Sequence, residues 1–145
     1  MPLDRPSKIV PHLWQGGYLS PGQIDVPLAL HVACAAEIVP SRNSAREVVH
    51  LPLHDQTDVN WVDLPDWRDA VTSAAELVAL TVQRKRDTLA TCHLGLNRSG
   101  LVVALALCKL GFAPDAAIAM IRWARGHIAL SNPRFVEAIT TLGRM

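Results

Sequence analysis

The chain has 145 residues, half of them hydrophobic and 19% charged, which excludes a disordered chain and fits one domain that can bury a core. Its formal net charge is +1, so no basic field marks a binder of nucleic acid or anionic membrane. Three irregularly spaced cysteines make no disulfide framework and point to a reducing, cytoplasmic setting. Arginine far outnumbers lysine, which fits bidentate binding of an anion and fits GC-rich coding equally well.

Residues 1–10 hold Asp4, Arg5, Lys8 and two prolines without an apolar core, so no signal peptide is expected. Short strands are expected at 9–10 and 13–14, before the Gly16-Gly17 turn. Stretches 28–34 and 47–53 are apolar and β-branched enough for buried strands, with 40–43 as the break between them. Asp63 is expected to cap a helix with Pro65 in its first turn. Leu64, Trp67, Val71, Ala74 and Val78 keep helical spacing to about Val82. Residues 87–92 read as another strand, and 101–110 as a buried helix closed by Gly111. The apolar run 101–107 is too short to span a bilayer, so no membrane partner is expected. Pro114 opens a helix ending at Gly126, and Asn132-Pro133 starts a last helix through Leu142.

No repeat, linker or low-complexity tract divides residues 1–145. Strands first, then a strand feeding a buried helix, then more helices describe a compact α/β domain. Its central mixed or parallel sheet is flanked by helices. In such sheets the chemistry sits at the carboxyl ends of strands. The stretch Cys92-His93-Leu94-Gly95-Leu96-Asn97-Arg98-Ser99 lies at such an end, directly before a helix.

A loop entering a helix N-terminus supplies backbone N–H groups and the positive end of the helix dipole, which stabilise a thiolate and then phosphoryl oxygens. On this reading Cys92 is a nucleophile. Gly95 lets the backbone curl, and Arg98 holds two equatorial oxygens bidentately. Ser99 hydrogen-bonds the sulfur as it leaves. His93, Leu94, Gly95, Leu96 and Asn97 line the substrate, and the absence of lysine there suits a moderately apolar phosphoester. Cys-x5-Arg spacing alone is weak; strand, loop glycine, serine and buried helix together carry the assignment.

These residues resemble the dual-specificity branch of the protein tyrosine phosphatase superfamily. The resemblance extends to Ile9-Val10-Pro11-His12-Leu13-Trp14-Gln15-Gly16-Gly17, similar to the family's opening strand pair, and to Leu51-Pro52-Leu53-His54-Asp55, similar to its general-acid segment. Ile121-Arg122 to Arg125 and Asn132-Pro133-Arg134-Phe135 are similar to its C-terminal pattern. It implies a phosphatase domain working through a phosphocysteine, without metal or cofactor, on phosphotyrosine and phosphoserine/threonine proteins or another phosphomonoester, as a monomer. It also implies Asp55 as general acid, with Asp58 as the competing choice. Arg125 falls at a second anion site, an exposed last-turn Arg being the other reading. Trp61 and Trp67 are candidates for the cleft wall, with core packing the other reading for Trp67, and Cys108 reads as buried packing. Cys34 stands where some relatives place a redox partner for the nucleophile, and also reads as a small buried residue.

Thr91 departs from the pattern, standing where the family carries His before the nucleophile. The gap between acid and thiol is a few residues longer than the family's, which points to an insertion around Val59 to Val62. Asn97 and Gly100 resemble the RNA 5′-triphosphatase branch, the one reading that brings a nucleic-acid partner; a non-catalytic phospho-ligand binder is the third.

Overall fold

The computed structural model describes residues 5–144; residues 1–4 of the stretch read as free of a signal peptide lie outside them. Five strands form one sheet: β1 (Ser7–Val10), β2 (Leu13–Gly16), β3 (Leu30–Ala35), β4 (Glu47–Leu53) and β5 (Thr88–Thr91). Their spatial order is β1-β2-β5-β3-β4, antiparallel between β1 and β2 and parallel elsewhere. The expected mixed sheet with flanking helices is what forms.

β3 and β5 are buried along their whole length because each sits between two strands with both faces covered. Alternation sends Leu30, Val32 and Cys34 into the main core, while His31 and Ala33 line a cavity on the opposite face.

Four helices follow: α1 (Pro65–Gln83), α2 (Arg98–Lys109), α3 (Pro114–Arg125) and α4 (Pro133–Leu142). α1 buries Val71, Ala74, Ala75, Val78, Ala79 and Val82, one helical stripe. Its cap is Leu64 rather than the expected Asp63. Asp63 instead closes the 3-10 turn Trp61–Asp63 and accepts from Asn60 Nδ2 at 2.8 Å. Trp61 is buried and stacks on Trp67 at 5.6 Å, which stacks on Phe135 at 6.4 Å. Both tryptophans therefore pack the core, and Trp61 does not border the cleft that holds Cys92.

α2 is apolar all round because α1, α3, α4 and the sheet enclose it. It begins at Arg98 rather than Leu101, so the last loop residues are its first turn. α3 stops at Gly126, whose φ of +107° suits a residue without Cβ. Asn132 caps α4 by accepting from Arg134 N at 3.0 Å. Cys108 is half-buried rather than buried, since it borders a small groove with Lys109 and Gly143. Among the described residues no helix is long and apolar enough to cross a membrane.

Phe135 is fully buried and ends the aromatic stack. Phe135→Ala is expected to cost about 3–5 kcal/mol in urea unfolding. A loss below about 1 kcal/mol would contradict this account of the core.

Candidate active site

The segment between β5 and α2 wraps around Cys92, and the backbone carbonyls of residues 93–96 are held from outside. Tyr18 N donates to His93 O at 3.2 Å and Leu130 N to Leu96 O at 3.1 Å. Arg125 donates to Leu94 O at 2.9 Å through Nη2 and to Gly95 O at 3.0 Å through Nε. Gln15 Nε2 also donates to Gly95 O at 3.0 Å. A trans peptide points its C=O and N–H in opposite directions. Carbonyls held behind the loop therefore turn the following N–H groups, of residues 94–97, towards its concave side, the arrangement an anion needs. Gly95 sits at φ +73°, and a Cβ there would lie 2.4 Å from Gly16 C, so only glycine fits.

Cys92 lies buried at the base of this loop, its Sγ 3.3 Å from Ser99 Oγ in the first turn of α2. Gln15, on β2, is fully buried and brings Nε2 within 3.2 Å of Ser99 Oγ. Arg98 also lies in that first turn. Its guanidinium forms a two-pronged pair with Glu37 at 2.5 and 2.8 Å and donates to Leu53 O at 3.2 Å. That pair holds the Glu37 carboxyl at about 2, chiefly through its hydrogen bond to Arg98. It raises Arg98 in turn. Glu37 follows β3, and nothing in its local sequence marks it as a partner 61 residues from Arg98.

Asp55, just beyond β4, borders the same cavity as Cys92, Leu94, Leu96 and Arg98, a cleft of about 160 Å³. Two amides fix it: Asn132 Nδ2 donates to Oδ1 at 2.6 Å and Asn97 Nδ2 to Oδ2 at 3.1 Å. Asn97 Oδ1 accepts from Asn132 N at 3.0 Å, which locks the two asparagines together. Asp58 is exposed and does not line this cleft. His93, in the loop, is exposed and borders the same cleft, with its ring 5.5 Å from that of Tyr18.

Solved structures with this chain path include human DUSP28, at 17% identity and a TM-score of 0.81 over 96% of this chain and 93% of that one. This is the dual-specificity phosphatase fold. OH1 from the Orf virus, described as a tyrosine phosphatase with triple substrate specificity, shares the fold at 15% identity and a TM-score of 0.71. The match covers 95% of this chain and 86% of OH1. A human tyrosine phosphatase-like serine/threonine/tyrosine-interacting protein shares it at 18% identity and 0.71, over 95% of both chains. No protein-family model and no curated protein sequence matches the chain.

Three residues acquire their surroundings only in the fold, and one of them, Arg125, differs from both of its sequence readings. Arg125, expected at a second anion site or exposed in the last helical turn, is fully buried. Its guanidinium serves the carbonyls of Leu94 and Gly95, Arg5 O and Ser7 Oγ, so it braces the loop from behind. Cys34 is a free, fully buried thiol in the same core cluster as Cys92. Burial above all, then the nearby Cys92, push it well above the ordinary thiol range, so it stays protonated.

Thr91 is the third. Its hydroxyl lies 2.6 Å from His31 Nε2 on neighbouring β3, so an imidazole reaches this site from another strand. Ser44 Oγ donates to Ser41 O at 2.9 Å and therefore accepts from His31 Nδ1 at 2.7 Å. Burial lowers His31 to about 4, which leaves Nε2 as the acceptor of the Thr91 hydroxyl. His31, Ser44, Thr91 and Cys92 also border a second cavity of about 320 Å³.

A histidine held neutral by the fold is protonated first in the unfolded chain, so its contribution is complete above pH 6.5 and fades towards pH 4. The loss across that window is about 3 kcal/mol. Urea unfolding followed from pH 7 to pH 4 is expected to show it, and His31→Gln to remove it. The Glu37 carboxylate weakens the fold only below about 4.5. An unchanged pH dependence in His31→Gln would contradict the assignment.

Proposed function

We propose that this protein is a cysteine-dependent phosphatase that cleaves phosphomonoesters through a phosphocysteine, with phosphotyrosine and phosphoserine/threonine proteins as its substrates. The observation that carries this reading is the convergence of Cys92, Arg98 and Asp55 on one cleft of about 160 Å³. Peptide N–H groups line the floor of that cleft.

In the first step Cys92 Sγ attacks phosphorus and the ester oxygen leaves with a proton from Asp55. In the second, water attacks the phosphocysteine, Asp55 takes the water's proton, and sulfur leaves as thiolate. Arg98 and the loop amides carry the charge on the equatorial oxygens in both steps. The Asn97 and Asn132 amides hold the Asp55 carboxyl at the cleft. Glu37 and Leu53 O hold the Arg98 fork in place before substrate arrives. The shallow cleft, rimmed by Leu94 and His93, suits both flat aryl and smaller alkyl phosphoesters.

Asn97 also fits the RNA 5′-triphosphatase branch. Here its side chain is engaged with Asp55, Ser131 and Asn132, and a net charge of +1 lacks the basic excess usual in RNA-binding enzymes. Phosphate release from triphosphorylated RNA, measured beside a phosphotyrosine peptide, separates the two; faster release from RNA reverses the choice.

A phosphosubstrate panel is expected to show turnover that Cys92→Ser reduces to background. Asp55→Asn is expected to lose about 10²–10⁴-fold on esters whose leaving groups are poor, and far less on activated aryl esters. Equal losses across the panel would remove Asp55 as the acid.

A further inference from the structure

The single hydrogen of Ser99 is held towards the Cys92 sulfur when another donor occupies its oxygen, and the fully buried Gln15 stands where it can supply one. The orientation of the Gln15 amide follows from its neighbours. The atom facing Gly95 O at 3.0 Å must be the nitrogen, because an oxygen there would oppose a carbonyl. The second hydrogen of the same nitrogen meets Ser99 Oγ at 3.2 Å. Ser99 Oγ accepts that bond, so its own hydrogen is directed to Cys92 Sγ at 3.3 Å.

We infer that Gln15 is a positioning residue that fixes the Ser99 hydroxyl as a donor to the Cys92 thiolate and to the sulfur leaving group. Its first half concerns the free thiolate and needs no reaction. Its second half rests on the phosphatase reading. As water oxygen bonds to phosphorus and the phosphorus–sulfur bond breaks, the electron pair falls on Sγ and the water's proton goes to Asp55. The Ser99 hydrogen then meets the charge forming on sulfur.

A further observation supports a polar role over mere packing. Gln15 Oε1 is buried without a hydrogen-bond partner among the described residues, a cost that an apolar side chain of similar size would avoid. Gly100 keeps the space beside the amide open, since a Cβ there would lie 3.3 Å from Gln15 Nε2 and 2.9 Å from Leu130 Cδ2.

The test is a double-mutant cycle on the rate at which iodoacetamide alkylates Cys92, read on the Cys92 peptide by mass so that Cys34 and Cys108 do not interfere. Only the thiolate reacts, so at mildly acidic pH the rate reports its stabilisation. The other ionisable groups near Cys92 are Arg98 on α2 with its partner Glu37 after β3, Arg125 on α3, Cys34 on β3, Asp55 after β4, Tyr18 after β2 and His93 in the loop, with His31 behind Thr91. None of them changes in the four proteins compared.

Ser99→Ala is expected to slow alkylation about tenfold and Gln15→Met about threefold, with the double variant no slower than Ser99→Ala. All the differences should vanish at alkaline pH, where the thiol ionises regardless. Wild-type behaviour of Gln15→Met, multiplying losses, or a loss independent of pH would each overturn the inference. Gln15→Glu covers failure of Gln15→Met to fold. Its oxygens would accept from Ser99 and turn the hydroxyl away from sulfur, so it should react more slowly than wild type; a rate equal to or above wild type overturns the inference. On phosphoester substrates Gln15→Met should enlarge the pre-steady-state burst. Absence of any turnover would count against the phosphatase reading alone, because the alkylation cycle decides the relay.

Discussion

The site depends on where the loop's carbonyl oxygens go. A loop that turns its N–H groups inward to face an anion must turn its carbonyls outward, and buried carbonyls need donors. Here the donors come from four different segments: the backbone N–H of Tyr18 and of Leu130, the Gln15 amide and the Arg125 guanidinium. Arg125 serves two carbonyls at once, which accounts for a fully buried arginine at the end of α3. Burial lowers its pKa while nearby Cys92 acts the other way, and an arginine keeps its proton regardless. The brace therefore also places a permanent positive charge behind the sulfur.

Around that loop, each chemical role is fixed by a different part of the sheet. β2 delivers Gln15 beneath Ser99, the end of β3 delivers Glu37 to Arg98, and the end of β4 delivers Asp55 to the asparagine pair. Parallel β2, β5, β3 and β4 present these ends at one edge, so a seven-residue spacing from Cys92 to Ser99 becomes a three-dimensional cradle. Preorganisation of this kind matters more than any single contact, because the groups need not be ordered when substrate arrives.

Much of this was legible in the sequence wherever the signal is local. The strand at 47–53 and the Asn132-Pro133 start of α4 form where the sequence places them, although 47–53, read as a buried strand, lies at the sheet edge with only Leu51 and Leu53 buried. Asp63 misled because Asp before Pro looks like a cap, yet Trp61 draws the segment into a 3-10 turn to bury its indole. Arg125 misled for the opposite reason. An arginine in a last helical turn is ordinarily solvated, and only the approach of α3 to β1 encloses it. Gln15, His31 and Glu37 carry no local mark, since their partners lie far along the chain. Thr91 was visible in the sequence, but its hydrogen bond to His31 on β3 emerges only once β3 and β5 pair.

All of these contacts converge on the claim that Cys92 takes the phosphoryl group. Acid quench of the protein during turnover of an aryl phosphate, followed by peptide mapping, tests it directly. The account predicts a phosphoryl adduct, trapped by the quench, on the peptide carrying Cys92, and on no other. Turnover with the phosphoryl group on a different residue, or on none under conditions that trap a covalent intermediate, would contradict it.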